Sequence, residues 1–511
     1  MRRTIRPARR AVTMITAAAA LAALSGCTDA GSSAGGGGGG KDKSTLTLGM
    51  SQDIQGWDPT NQPSYQGWGA SAVYDTLLRC DRQGKPQPGA VKSWQLNPDN
   101  TGGTFTLHPG MKFSDGTPVN AESVKAMVDF IQAKGATGAR FAGWKASAQG
   151  DLSFRITTKP NPLFVARLCE LRVASPKYLA SGKLNKAPVG SGPYTLDASA
   201  TTAGSVYTFV KNDAYWDSKT FPYKKLVLKV LTNETAAINA LKTGQIDGSL
   251  ITQATYSQAE AAKLKIQSQK SQVTRLLLTD HLGKKVPALG SVDVRRAMNM
   301  VFDKAAIAKN IYRGLADPAA QIFRPGSAAY LDGLKDPYPF DVEAAKALMK
   351  KAGYPNGFEL EIPFMQGQNL EPLMPVVIQQ LGLLNIKVKQ VNLTGPNAIS
   401  ELLSGKYPVP FWQLGNYGDS LQDISDYLLP DGIWNVMHQK DATVAEGWDK
   451  ILTSDAAQSA EEQQALNRYI VDQAWFVPMV QASMHYAYNP EVDVRQSSDP
   501  SGLHPMLWDF Q

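Results

Sequence analysis

Hydrophobic and polar residues along this chain alternate with two periods. Residues 44–50 (STLTLGM) alternate one by one, the period of a strand with one buried face. The same reading predicts strands over 104–107, 151–158, 205–211, 225–231, 358–363, 386–391 and 410–414, and a fully buried strand over 476–481. Between them the apolar spacing widens to three and four. Helices are predicted over 68–78, 120–130, 161–170, 233–243, 292–312 with a break near Asp303, 341–352, 369–384 and 462–473. Asn120 and Asn233 stand where a side chain accepts from the first helical turn. Residues 86–94 read as extended turns, and Gly190-Ser191-Gly192-Pro193-Tyr194 as a sharp turn. Lysine-rich 263–270 reads as a solvated face. The alternation of strand and helix argues for an α/β fold with ligand-facing crevices, and no internal repeat is present.

The first residues follow another rule. Arg2, Arg3, Arg6, Arg9 and Arg10 precede an apolar run over 11–23, which ends in Leu24-Ser25-Gly26-Cys27. This is a basic region, a short greasy region and a small-residue cleavage site, too short for a stable bilayer span. Cysteine directly after Leu-Ser-Gly resembles a bacterial lipobox, so 1–26 is expected to be a signal peptide and Cys27 the lipidated first residue. Residues 28–40 are mostly Ser, Ala and Gly, ending in six glycines, and bury nothing in return for ordering. Such a tether spans a few tens of Å, at about 5–6 Å times the square root of its length. With the alanine-rich leader it looks like a high-GC Gram-positive lipoprotein on the outer face of the plasma membrane.

Composition narrows the function. At 43% hydrophobic and 19% charged the chain is globular, and its length calls for two or three domains. The formal charge of +7 includes the five leader arginines, so the mature chain lies near +2 and gives no case for nucleic-acid binding. Cys80 and Cys169 are the remaining thiols, either a disulfide or two small buried hydrophobes. The five histidines are scattered, without metal-ligand spacing.

Several segments in this order resemble the extracytoplasmic solute-binding proteins of peptide/nickel ABC transporters: Tyr74-Asp75-Thr76-Leu77-Leu78, Trp94 ahead of 104–107, 111–124 (MKFSDGTPVNAESV), Gly190–Tyr194, Tyr215-Trp216, 244–247 and Val294-Arg295-Arg296-Ala297. The resemblance covers essentially residue 45 to the end. It implies a two-lobed α/β periplasmic-binding-protein-like fold of type II, with an extra domain and a ligand cleft between lobes. Lobe I would comprise 41–74, 187–275 and 472–511, the extra domain 75–186, and lobe II 276–471, with hinge crossings near 275 and 472. Tyr215, Trp216, Arg295 and Arg296 read as packing or pairing residues rather than ligand groups.

The resemblance also points to a site. Peptide-binding members often carry Trp-x-x-Asp-Tyr-x-Asp-Pro, whose first aspartate meets the α-ammonium of a peptide. Here 411–420 reads FWQLGNYGDS, so Asn416 replaces that aspartate, Asp419 keeps the second acid and Ser420 replaces proline. Expected ligand-binding residues are Trp412, Asn416, Tyr417, Asp419, Trp434 and Trp57, whose rings could stack on a solute. No nucleophile motif, metal quartet or phosphate loop occurs, so the expectation is a carrier, not an enzyme, with no cofactor. It would capture a short peptide by hinge closure, or an oligosaccharide or other neutral polar ligand. Nickel complexes and opine-like compounds are further candidates, and a secreted hydrolase is the non-carrier alternative. Expected partners are the solute, the permease subunits and the membrane through the lipid, with the protein itself a monomer.

Overall fold

The alternation at Thr45–Met50 does what its period requires: Leu46 and Leu48 are buried, while Thr45 and Thr47 are only half covered. The computed structural model of the chain describes residues 44–61, 67–134, 137–138, 140–365, 370–394, 397–415, 420–499, 502 and 504–511. The expected leader, Cys27 and tether lie outside the described residues, as do Asn416, Tyr417 and Asp419.

In chain order the strands are β1 (Thr45–Met50), β2 (Leu78–Cys80), β3 (Pro86–Pro88), β4 (Val91–Leu96), β5 (Gly102–Leu107), β6 (Lys145–Ala148), β7 (Ser153–Thr157), β8 (Tyr194–Leu196), β9 (Val206–Lys211), β10 (Lys225–Val230), β11 (Gly248–Ile251), β12 (Lys265–Leu277), β13 (Ala316–Pro318), β14 (Glu359–Met365), β15 (Lys387–Leu393), β16 (Phe411–Gly415) and β17 (Phe476–Tyr488). Nine of them form one sheet in the order β16-β12-β17-β11-β1-β10-β9-β8, with β13 beside β17. The antiparallel sheet β4-β5-β7-β6 belongs to an extra domain, and β14 and β15 form a parallel pair whose Leu360, Ile362 and Phe364 enter the molecule's second core. The architecture is two α/β lobes with a third domain appended.

Two 13-residue strands run antiparallel from one lobe into the other, β12 against β17, from Lys265↔Tyr488 to Leu277↔Phe476. At one end Ala487 lies in a cluster with Ile238, Leu241 and Ile246, and Ile266 packs against it. At the other, Leu276, Val477, Met479 and Val480 lie in a different core with Met298 and Ile362. The register slips twice, at Lys270/Gln272 ahead of that second core and at Thr274/Arg275 within it. Each slip adds an unpaired residue, which bends and twists the ribbon. Pro478, which has no N–H to give, sits at the second slip.

Helix boundaries follow local chemistry in most places. The Asn120 side chain accepts from Ser123 N–H at 3.0 Å while Ser123 Oγ accepts from Asn120 N–H at 3.0 Å, a reciprocal cap on Ala121–Gln132. Asn233 caps Glu234–Lys242. The break near Asp303 is present: the helix Val292–Met300 stops, and the Asp303 carboxylate accepts from Ala306 N–H to restart it. Where sequence and structure differ, distant contacts decide. The helix expected over 68–78 ends at Val73, because the backbone at Gly190–Gly192 crosses its end and Gly192 N–H donates to Val73 O at 3.0 Å. A Cβ on Gly190 would lie 2.0 Å from that same carbonyl oxygen. Asp75 then turns inward and accepts from Tyr215 Oη (2.7 Å) and Trp216 Nε1 (2.6 Å), so three of the family-like segments meet as core structure. Burial raises the Asp75 carboxyl above its usual range, opposed by the Arg79 guanidinium. Lysine-rich 263–270 is mostly strand, although Lys265 and Lys270 are exposed.

A disulfide joins Cys80, at the end of β2, to Cys169 on the helix Phe164–Glu170, closing a loop with a sequence separation of 89. Replacing both cysteines by serine is expected to lower unfolding free energy by about 2–5 kcal/mol, read from chemical denaturation. His485 on β17 and His281, stacked on Trp475 at 3.9 Å, are both buried. Burial holds each imidazole down to about 4, against about 6.5 for a free histidine. Between pH 6.5 and 4 the unfolded chain therefore takes up protons that the folded chain refuses, and stability falls as pH drops through that window. The melting temperature should decline over it, and His281→Gln with His485→Gln should flatten the decline. An equal decline in the double variant would contradict this origin.

Candidate functional site

A cleft opens beside β12 just before its first register slip. Ser268, Gln269 and Lys270 form one wall of a cleft of about 560 Å³. Arg82 and Gln83, in the turn between β2 and β3, form a second wall. Arg324-Pro325-Gly326-Ser327-Ala328 and Ser420, which opens the helix Ser420–Tyr427, form the third. Among the described residues the lining is largely polar and contains three cations and no carboxylate. Its volume lies in the usual range of small-molecule sites.

Each wall is braced from behind. Ser420 Oγ donates to Gln463 Oε1 at 2.6 Å and accepts from Ala329 N–H at 3.1 Å, which fixes the start of the helix. Lys270 pairs with Asp317 on β13. Arg324 donates to the backbone carbonyl of Arg82 at 3.2 Å, joining two walls. Desolvation lowers the Arg324 guanidinium from its ordinary value, opposed first by Asp423. Below the cleft Arg275 is fully buried, its guanidinium 4.5 Å from the centre of the Tyr427 ring, a desolvated cation–π contact. Gln269 is 9% exposed, and neither end of its amide has a hydrogen-bond partner among the described residues.

A second polar bridge joins the extra domain to the helix Ser420–Tyr427. Arg167 donates to Gln422 Oε1 at 2.5 Å and to both oxygens of Glu170 at 3.1 Å. Arg140 adds a 3.0 Å contact to Glu170, and Gln422 Nε2 donates to Asp426 at 2.6 Å. Burial raises the Asp426 carboxyl, with Arg140 and Arg167 opposing that rise.

The expected site residues separate. Trp412 and Trp434 meet, with ring centroids 5.6 Å apart at 34°, but Trp412 is buried in an aromatic and aliphatic cluster. Trp57 is elsewhere: its ring packs edge-on to Tyr207 and Phe209 in the core of the first lobe, and its carbonyl accepts from Tyr74 Oη at 2.5 Å. It does not line the cleft. Arg295 is held by the carbonyls of Gln473, His281 and Leu289, and Arg296 by that of Asp472, a pairing role for both. Arg82, Gln269 and Arg324 escaped the sequence reading, and only the two-sided polarity of KIQSQKSQ over 265–272 hinted at a wet strand.

The Arg167–Gln422–Asp426 bridge sets how tightly the extra domain holds that helix. Gln422→Ala leaves two charged partners short of a hydrogen bond, a loss of about 1–3 kcal/mol or about 10–100-fold in the opening equilibrium. Amide exchange in residues 420–427 should accelerate by that factor. Unchanged exchange would show that the bridge holds nothing.

Comparison with known proteins places this geometry. Residues 85–434 match the family described as bacterial extracellular solute-binding proteins, family 5 Middle. The nickel-binding periplasmic protein of Escherichia coli (strain K12) is 30% identical over 313 residues, covering 57% of each chain. A glutathione-binding protein of the same strain is 27% identical over 335 residues, covering 63% of this chain and 64% of that one. The matches thus span less than two thirds of these curated relatives. A binding protein from A. tumefaciens R10, solved with agropinic acid, superposes with a TM-score of 0.82 at 23% identity over 91% of this chain and 98% of its own. A Helicobacter pylori binding protein, solved with the peptide STSA, gives 0.79 at 21% identity over 90% and 97%. With two lobes, an appended domain, a polar cleft between them and a family match over most of its length, the chain belongs to the bacterial extracellular solute-binding proteins of family 5.

Proposed function

We propose that this protein is the substrate-binding component of an ABC importer, held at the outer face of the plasma membrane by a lipid on Cys27. It captures a short peptide or peptide-like polar solute and delivers it to the permease subunits. The observation that carries this reading is the cleft of about 560 Å³ whose walls come from the extra domain, from the segments 324–328 and 420 of the second lobe, and from β12 of the strand pair that joins the lobes. Ligand contacts made only when the walls meet favour the closed arrangement, and hinge opening releases the solute. No chemical step is needed, and relatives of this fold are non-catalytic binding proteins. In this reading the hinge crossings lie near 275, in β12, and near 472, just ahead of β17.

Peptide-like solutes are preferred over sugars for a physical reason. Sugar binding in such clefts draws on exposed ring faces, yet Trp412 is covered by its own cluster and Trp57 is core. The cleft instead offers amide, hydroxyl and guanidinium groups.

The test is native mass spectrometry of the purified protein, followed by unfolding and identification of what is released. A released peptide series supports the reading. A hexose-based mass would overturn the peptide preference while keeping the carrier role. Turnover of an added solute would overturn the carrier role itself.

A further inference from the structure

The wall that carries Arg82 and Gln83 is weakly held. It is the tip of the hairpin β2–β3, and none of residues 81–88 is buried. β3 reads Pro86-Gln87-Pro88, so two of its three residues have no N–H to donate to β2. The turn closes on itself: the Asp81 carboxylate accepts from Gln83 N–H at 3.0 Å and from Lys85 N–H at 2.9 Å. Those bonds fix the shape of the turn and not its place. The base of the hairpin is secure, since Leu78 is fully buried and Arg79 donates to Asp217 and Tyr215. Beyond Arg79, among the described residues, two bonds lead out of 80–87. One is the disulfide from Cys80 to Cys169, and the other is the 3.2 Å hydrogen bond that Arg324 donates to the Arg82 carbonyl.

Cys169 belongs to a well-anchored element. Its helix sends Phe164 into the apolar core, 4.8 Å from the Trp144 ring, and buries Leu168 in the same core. The bridge therefore ties a loose tip to a fixed helix. Cys80 and Cys169 are both half-buried, so neither is sealed in a core. We propose that the Cys80–Cys169 disulfide is a redox control on the cleft. Oxidised, it pins the Arg82–Gln83 wall to the extra domain; reduced by a dithiol, it lets that wall leave its place, and the cleft loses its hold on the solute. One thiolate of the dithiol attacks a sulfur of the bridge, forming a mixed disulfide and freeing the other cysteine. The second thiol of the reagent then displaces the remaining cysteine and closes its own disulfide. The protein gains two electrons and two protons, and the dithiol loses the same. The assignment rests on the carrier reading above and adds regulation to its site.

The test treats the folded protein with dithiothreitol, with iodoacetamide labelling and mass confirming that two further thiols have appeared. Melting, amide exchange and dissociation of the co-purified solute are then compared in the two states, with tri-alanine as the probe where no solute co-purifies. Reduction should speed exchange in residues 79–87 while β1 and β10 stay protected. It should raise the dissociation rate about 10–100-fold, the equivalent of one hydrogen bond to a charged group. Reoxidation should restore both. The double variant Cys80→Ser with Cys169→Ser should behave as the reduced protein and ignore the dithiol. Equal dissociation from the folded oxidised and reduced forms overturns the control and leaves the carrier reading intact. So does a double variant that holds solute as tightly as oxidised wild type. Protection lost throughout the chain on reduction also overturns the control, because the bridge is then a staple for the whole fold. Solute held by neither form overturns the carrier reading, and this control with it.

Discussion

The structure depends on one ribbon. β12 and β17 are the only pair of described strands that each continue from one lobe's core to the other's, so any relative motion of the lobes is carried by their backbone. A continuous antiparallel ladder resists bending along its length. The first register slip, at Lys270/Gln272, weakens the ladder where β12 passes between cores, and the second, with Pro478 unable to donate, lies inside the second core. Apolar side chains lock the ends into separate clusters, and between them the β12 stretch 267–272 is polar. Flexibility and wetness thus arise at the same residues, and those residues form a wall of the cleft.

Around that ribbon the polar groups fall into two kinds. Those behind the walls are satisfied: Ser420 by Gln463, Lys270 by Asp317, Arg167 by Glu170 and Gln422. Those lining the space include the Arg82 guanidinium, for which no described residue supplies a partner. Satisfied groups fix geometry and unsatisfied ones attract a partner, which is the division expected of a preorganised binding site.

Much of the fold was legible because its signals are local. The Asn120 cap, the Asn233 cap and the interruption at Asp303 each need only a few neighbouring residues, and each is present as read. The misread elements depend on distance. The helix from Gly67 ends early because Gly190–Gly192 arrives from elsewhere in the chain. β12 was hidden because the alternation rule assumes one buried face, whereas this strand trades one core for another and is polar in between. The site was less legible still. Trp57 read as a cleft ring because it lies near turns, but Tyr207 and Phe209 offer it a better apolar home. Arg82 and Arg324 stand 242 residues apart and become neighbours only in the folded protein. Asn416, Tyr417 and Asp419 lie outside the described residues, so their role as ligand groups remains the expectation drawn from the sequence.

The central claim is that the ribbon is a hinge and that the solute closes it. The most direct measurement is a pulsed dipolar distance between spin labels at positions 125 and 450, both exposed and on helices belonging to opposite sides of the cleft. The account expects a broad or two-peaked distribution in protein stripped of solute, collapsing to the shorter distance when the co-purified solute is returned. A single distance that does not change with solute would contradict it.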